Sequence, residues 1–182
     1  MCSAIVGECR ARLRAFEEFS ESAGAARHPS PVDWKTNLIE GEAEVAALVR
    51  SLRRVAVLGI KTEAHSDQPA YFVAEALAAA GVEIVPVPVY YPTVTHILGR
   101  PVVRRLVDVE GHVDLVDVFR RASDVPAHVD DMLAARPGAV WLQSGIRHDA
   151  VAEQLARAGI RVVQDRCLMV DHQRYASEAR RS

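Results

Sequence analysis

Ala139-Val-Trp-Leu-Gln143-Ser-Gly145 is an apolar run of strand length that stops abruptly in polar residues and a glycine. Two further stretches have the same form: Asp114-Leu-Val-Asp-Val-Phe-Arg120-Arg121 and Arg161-Val-Val-Gln-Asp165-Arg166-Cys167. In a parallel sheet the ends of all three would lie along one edge. Open α/β sheets bind ligands in the crevice at the carboxyl ends of their strands, so the three runs together mark a binding edge.

Working outward, strand runs and helical patterns alternate from Arg53 onward. They cover Arg54–Leu58, Ala70–Ala80, Glu83–Val87, a short piece near Thr95–Val103, Val113–Val118, Pro126–Ala135, Ala139–Leu142, Asp149–Ala158 and Arg161–Val163. This alternation predicts an α/β domain of βαβ units, with helices on both faces of a mainly parallel sheet of about five strands. Gly81 and Gly159 follow helices where a left-handed cap is needed, and Pro69 and Pro126 occupy first-turn positions that need no N–H. Ser123 or Asp124 is placed to cap the helix near Pro126.

Upstream, Leu13, Phe16 and Phe19 recur at three-residue spacing between Gly7 and Ser22, as on an amphipathic helix that His28-Pro29-Ser-Pro31 ends. A second helix is expected from Gly41 to Leu52, its apolar stripe made by Val45, Leu48, Val49 and Leu52. Residues 1–40 read as an N-terminal helical extension and 41–182 as the domain. The extension's apolar stripe can pack on the domain or across a homodimer interface.

The chain of 182 residues is 49% hydrophobic, enough for one buried core. With 25% charged residues and a formal net charge of -2, it offers no electrostatic reason to bind nucleic acid or an anionic membrane. Cys2, Cys9 and Cys167 are odd in number and form no Cys-x-x-Cys, which argues against a disulfide framework or a zinc ribbon and for a reduced, cytoplasmic setting. Neither a signal peptide nor a membrane-spanning stretch is legible.

Val55-Ala-Val-Leu-Gly59 is a buried strand ending in glycine, followed by the loop from Ile60 to Gln68 and a helix opening at Pro69-Ala-Tyr71. The glycine admits close backbone approach, and the free N–H groups of the helix start favour a pyrophosphate; the alternative is an ordinary βα turn. A dinucleotide enzyme would show Gly-x-Gly-x-x-Gly here and an acidic residue after the second strand to hold a ribose hydroxyl. Neither is present: after Ile84-Val85 the chain reads Pro86-Val87-Pro88-Val89-Tyr90. Lys61 and His65 supply positive or polar character instead, which suits an additional phosphate on the ribose better than NAD.

Taken in order, Val55–Gly59, Pro69-Ala-Tyr71, Gly81-Val-Glu-Ile-Val-Pro86-Val87, Ile97-Leu-Gly99, Val116-Asp-Val-Phe-Arg-Arg121, Val140-Trp-Leu-Gln-Ser-Gly-Ile-Arg147 and Val163-Gln-Asp-Arg-Cys167 resemble the small stand-alone CoA-binding proteins. The fold of that family resembles the CoA-binding domain of the succinyl-CoA synthetase alpha subunit, and the match spans roughly Gly41 to Tyr175. The resemblance implies a Rossmann-like three-layer domain. It also implies that coenzyme A lies with its adenosine and pyrophosphate across the first βα loop (Gly59, Ile60, Lys61, Thr62, Gln68, Pro69, Ala70, Tyr71) and the end of the second strand (Val87, Pro88, Val89). The rest of the ligand would run along the later strand ends, at Phe119, Arg120, Arg121 and Gln143. The missing carboxylate then fits the 3′-phosphate of CoA. Two departures bear on affinity: Lys61 and Ala70 stand where the family commonly has small hydroxyl residues, in a loop about two residues longer, with Thr62, Ser66 or Lys61 as replacements. Pro88 stands where an Asn is often seen, and so removes a side-chain amide and a backbone donor.

For catalysis, Cys167 is the leading nucleophile candidate, with Arg166 placed to favour its thiolate; the alternative is a small buried hydrophobe. His172, five residues on, would point about 140° away on a helix, and Asp171 is a poor base for a thiol. The histidines at 28, 65, 96, 112, 128 and 148 lack metal-ligand spacing and read as solvated. Asp117 is expected to be buried or paired, so Arg120 and Arg121 either neutralise it or serve the ligand. Trp141 is expected to alternate away from Gln143 into the core, while Tyr71 either packs on the sheet or, as the resemblance favours, flanks the nucleotide. The expectation is a non-catalytic protein without a metal site that holds CoA or a short acyl-CoA. The alternatives are an enzyme subunit, a thiol-dependent acyl carrier using Cys167, or a nicotinamide-binding regulatory domain.

Overall fold

The computed structural model describes residues 33–179, so the helix expected over 7–22, together with Cys2, Cys9 and His28, lies outside the described residues. The ordered elements are α1 (Glu42–Ser51), β1 (Arg54–Leu58), α2 (Pro69–Ala79), β2 (Glu83–Val87), the two-residue strands β3 (His96–Ile97) and β4 (Arg100–Pro101), β5 (Leu115–Val118), α3 (Val129–Ala135), β6 (Ala139–Leu142), α4 (Asp149–Arg157), β7 (Arg161–Val163) and α5 (Leu168–Ala179). The main sheet runs β2-β1-β5-β6-β7 with every pairing parallel, as the alternation predicts. Its order reverses between β1 and β5, the switch point at which doubly wound sheets open a crevice at their carboxyl edge.

Two apolar layers cover the sheet. Side chains of α1, α2 and α5, including Leu48, Leu77 and Leu168, pack with Val55, Val57, Leu115 and Trp141 on one face. On the other, Val129 and Met132 of α3 and Leu155 of α4 pack with Leu58, Val118, Val140 and Leu142. The central strands are buried on both faces, which is why they read as continuous apolar runs.

Local chemistry sets the ends of the helices. Glu42 and Glu44 stand in the first turn of α1 and Arg50 in its last, complementing the helix dipole. Pro69 opens α2, and Gly81, at φ +94, follows its end, with the Val82 N–H closing onto the Leu77 carbonyl at 3.1 Å. His148 caps α4: its Nδ1 accepts from the Val151 N–H at 3.3 Å. His148 therefore has a structural partner in place of a purely solvated role.

Three expectations are corrected. The helix predicted over Pro126–Ala135 is a 3-10 segment, Ala122–His128, with Pro126 inside it, followed by the shorter α3. Neither Ser123 nor Asp124 caps it; Asp124 is drawn to Arg120 instead, at 3.3 Å. The compact unit also begins before residue 41: the Leu38 backbone bridges Val162 in parallel and the Ile39 N–H bonds the Val162 carbonyl at 2.8 Å, so residues 33–40 extend the β7 edge.

Candidate functional site

Gly59 ends β1 at φ +89, and a Cβ there would stand 2.4 Å from the Phe119 carbonyl oxygen. The close approach that requires glycine is thus to the chain leaving β5, whereas the sequence suggested an approach to ligand. Gly59 donates to the Val87 carbonyl at 2.8 Å and Phe119 to the Leu58 carbonyl at 2.9 Å, which ties the ends of three strands into one rim.

A charged crevice of about 480 Å³ opens on one side of this rim, beside Leu58, Val87, Pro88, Val89, Tyr90 and His128. Two cations from different loops flank its Tyr90 ring: the Lys61 Nζ is 5.2 Å and the Arg120 Cζ 5.3 Å from the centroid. The Lys61 Nζ also lies 5.6 Å from the Tyr91 ring. The Arg120 guanidinium beside Tyr90 holds the pKa of its hydroxyl below the usual tyrosine value. Only 12% of the Arg120 side chain is exposed, and among the described residues its Nε is buried without a hydrogen-bond partner. His128 shares that condition at Nε2; burial, then the nearby Arg120 charge, lowers its pKa, so it is not the solvated residue expected. Of the carboxylates at the crevice, Asp131 is committed to the Leu106 N–H at 2.7 Å and to Arg105 at 3.4 Å.

An apolar groove of about 520 Å³ opens on the other side, where Phe72, Phe119, Ile146 and Met169 meet Gln68, Pro69 and Ala70 at the start of α2. Gln143, Ser144 and Cys167 complete it. The α2 terminus is a weaker anion site than its sequence suggests, because Pro69 has no N–H and the Tyr71 N–H turns back onto the Gln68 carbonyl at 2.9 Å.

Gln143 lines this groove and is bonded to the buried Asp117. Asp117 is fully buried and its two carboxylate oxygens lie 2.9 and 3.0 Å from the Gln143 Nε2. Burial raises its pKa from 3.8 to about 7, with the Gln143 and Val118 hydrogen bonds opposing. Neither arginine neutralises it: Arg120 pairs with Asp124, and Arg121 is exposed at the start of the 3-10 segment. Trp141 pairs in register with Asp117 and shares its face, as does Gln143 two residues on. The expected alternation of Trp141 away from Gln143 is therefore corrected. Trp141 is fully buried, as expected, and its indole N–H donates to the Arg166 carbonyl at 2.7 Å.

The remaining predicted residues divide between rim and core. Ile60 and Tyr71 are core side chains, and burial raises the Tyr71 pKa. Thr62 is buried with its hydroxyl 3.3 Å from the His65 Nδ1. Arg166 is held bidentately by Asp171, at 2.8 Å twice, and by Glu42 at 2.7 Å. Two carboxylates thus compensate the charge that sequence reasoning assigned to Cys167. His172 is buried and faces a different hollow, beside Leu52, Gly81 and Val82, away from the Cys167 groove. No group of three or more His, Cys, Asp or Glu among the described residues is placed to hold a metal ion. Tyr90, Phe72 and Met169 were not singled out in the sequence; the Tyr90-Tyr91 pair directly after a strand end was the available signal.

Residues 53–173 match the family model described as a CoA binding domain. The chain belongs to this CoA-binding family. The chain is 30% identical over 131 residues to the uncharacterized protein YneT of Bacillus subtilis (strain 168), covering 72% of this chain and 93% of that protein. Its fold matches the structure of cell-free ID.343 from Thermus thermophilus at a TM-score of 0.68 and 39% identity, over 75% of this chain and 99% of the other. A fold likeness also reaches a dinucleotide-forming acetyl-coenzyme A synthetase from Ca. Korarchaeum cryptofilum, in complex with phosphate and ADP. There the TM-score is 0.54 and the identity 17%, over 64% of this chain and 27% of that one. No helix among the described residues is long and apolar enough to cross a membrane.

Proposed function

We propose that this protein binds CoA, or a short acyl-CoA, across the carboxyl edge of its sheet and holds it without transforming it. One observation carries the proposal: a charged crevice and an apolar groove of comparable size flank the same Gly59–Phe119 rim. CoA is a ligand of that kind, polyanionic at its nucleotide end and far less polar along its pantetheine arm. Lys61 and Arg120 would meet the phosphates, and the buried, unpartnered Arg120 Nε is a donor fitted to that role. The arm would run between Phe119 and Met169. The wall after β2 has Pro88, Val89 and Tyr90 where a nicotinamide dinucleotide would need a carboxylate, which favours CoA over NAD.

Calorimetry of the purified protein against CoA, NAD and NADP tests this. Heat and saturation with CoA alone are expected; tight binding of a nicotinamide cofactor with none of CoA would overturn it. A second reading, a thiol-dependent acyl carrier, is favoured by the position of Cys167 on the apolar groove. Intact-mass measurement after incubation with acyl-CoA separates the two, because a carrier gains an acyl adduct that Cys167→Ser abolishes.

A further inference from the structure

A carboxyl group at the centre of a parallel sheet is costly unless it is neutral or well hydrogen-bonded. Asp117 lies on β5 between Val57 of β1 and Trp141 of β6. Val57 has no polar atom, and the Trp141 indole N–H is committed to the Arg166 carbonyl. Its side-chain partner is Gln143, whose Nε2 stands 2.9 and 3.0 Å from the two oxygens. Gln143 is itself only 5% exposed, yet it borders the apolar groove.

Above its raised pKa Asp117 is a carboxylate, which only accepts hydrogen bonds and therefore orients a neighbouring primary amide nitrogen-first. With the Nε2 donors directed inward at both Asp117 oxygens, the atom Gln143 has left for the groove is Oε1. Few other polar groups line this groove, so one placed acceptor fixes where a bound chain sits along it.

We propose that Asp117 is a positioning residue: by drawing the Gln143 nitrogen inward it turns the Gln143 carbonyl outward, giving the groove floor an acceptor for an amide N–H of a bound pantetheine arm. This rests on the reading that the arm of CoA occupies the apolar groove. Asp117 touches no ligand and acts only through Gln143.

The test is Asp117→Asn at pH 8, where the unaltered Asp117 is ionised; the substitution keeps the shape of the side chain. Its new amide pairs reciprocally with that of Gln143 and takes Oε1 away from the groove. CoA affinity is expected to fall about tenfold, the size of one hydrogen bond, while adenosine 3′,5′-bisphosphate, which lacks the arm, binds as it does to the unaltered protein. Adding Gln143→Glu to Asp117→Asn exchanges amide and carboxylate, restores a groove-facing acceptor and is expected to regain CoA affinity to within about threefold. A folded Asp117→Asn protein that binds CoA with unaltered affinity, or loses both ligands equally, overturns the proposal. If the unaltered protein binds neither ligand, the CoA reading has failed. The side-chain amide NMR signals of Gln143 then decide the positioning claim by themselves: NH2 protons protected from solvent exchange that shift as Asp117 ionises support it, and protons that exchange as fast as those of an exposed glutamine and do not respond to pH refute it.

Discussion

Replacing Asp117 by asparagine should stabilise the protein, and by an amount that grows with pH. The Asp117 pKa is raised by burial from 3.8 to about 7. A raised carboxyl pKa means that the folded chain binds this proton more tightly than the unfolded chain. Stability is therefore fully retained below about pH 4, declines as pH rises through the interval up to 7, and carries the whole penalty above it. A shift of about three units at 1.36 kcal/mol each sets a ceiling of about 4 kcal/mol. Losing the charge-assisted Gln143 hydrogen bonds returns part of this, leaving a net gain of about 1 to 3 kcal/mol near pH 8. For a chain of this length that is a rise in melting temperature of roughly 2 to 12 °C. Scanning calorimetry at pH 4.5 and pH 8 reads the difference: variant and unaltered protein should melt close together at the lower pH and far apart at the higher. An asparagine variant that is less stable at pH 8, or an offset that does not change with pH, would refute the reasoning. Together with the CoA measurement, the same substitution would show stability and binding moving in opposite directions.

Three further outcomes are expected. Gly59→Ala forces a left-handed conformation on an alanine and drives its Cβ against the Phe119 carbonyl, at a cost of about 2–5 kcal/mol that urea unfolding should register along with weakened CoA binding. Lys61→Ala should leave the melting temperature nearly unchanged but weaken CoA binding about tenfold and flatten its dependence on salt, read by calorimetry at two ionic strengths. Arg166 and Tyr175 hold the Glu42 pKa down from 4.5 to about 2, so its contribution to stability is present above about pH 4.5 and is lost as pH falls through 2. Glu42→Gln should remove that acid-side slope from far-UV circular dichroism melts without changing the slope assigned to Asp117.

Strands buried on both faces leave an unambiguous trace, and Arg54–Leu58, Glu83–Val87, Ala139–Leu142 and Arg161–Val163 could be read directly from the residues. The segment at 33–40 could not, because a single bridge from Leu38 to Val162 has no periodicity to betray it. Pro126 fitted a helix start by residue type, yet the chain spends it in a 3-10 turn while Asp124 is drawn to Arg120. In the site, the polar strand ends announced an edge but not its partners. A buried aspartate beside two arginines suggests ion pairing, whereas the sheet delivers the Gln143 amide to Asp117 and turns Arg120 toward Tyr90. Gly59 looked like a ligand-facing glycine because its close neighbour, the Phe119 carbonyl, is 60 residues away in sequence and invisible to local pattern.

The most direct test of CoA binding across this edge is a crystal structure of the protein grown with CoA. The phosphates are expected beside Lys61 and Arg120, with the arm crossing the Gly59–Phe119 rim into the groove over Gln143. CoA seated at the opposite, amino edge of the sheet, or a protein that returns from millimolar CoA without it, would contradict that claim.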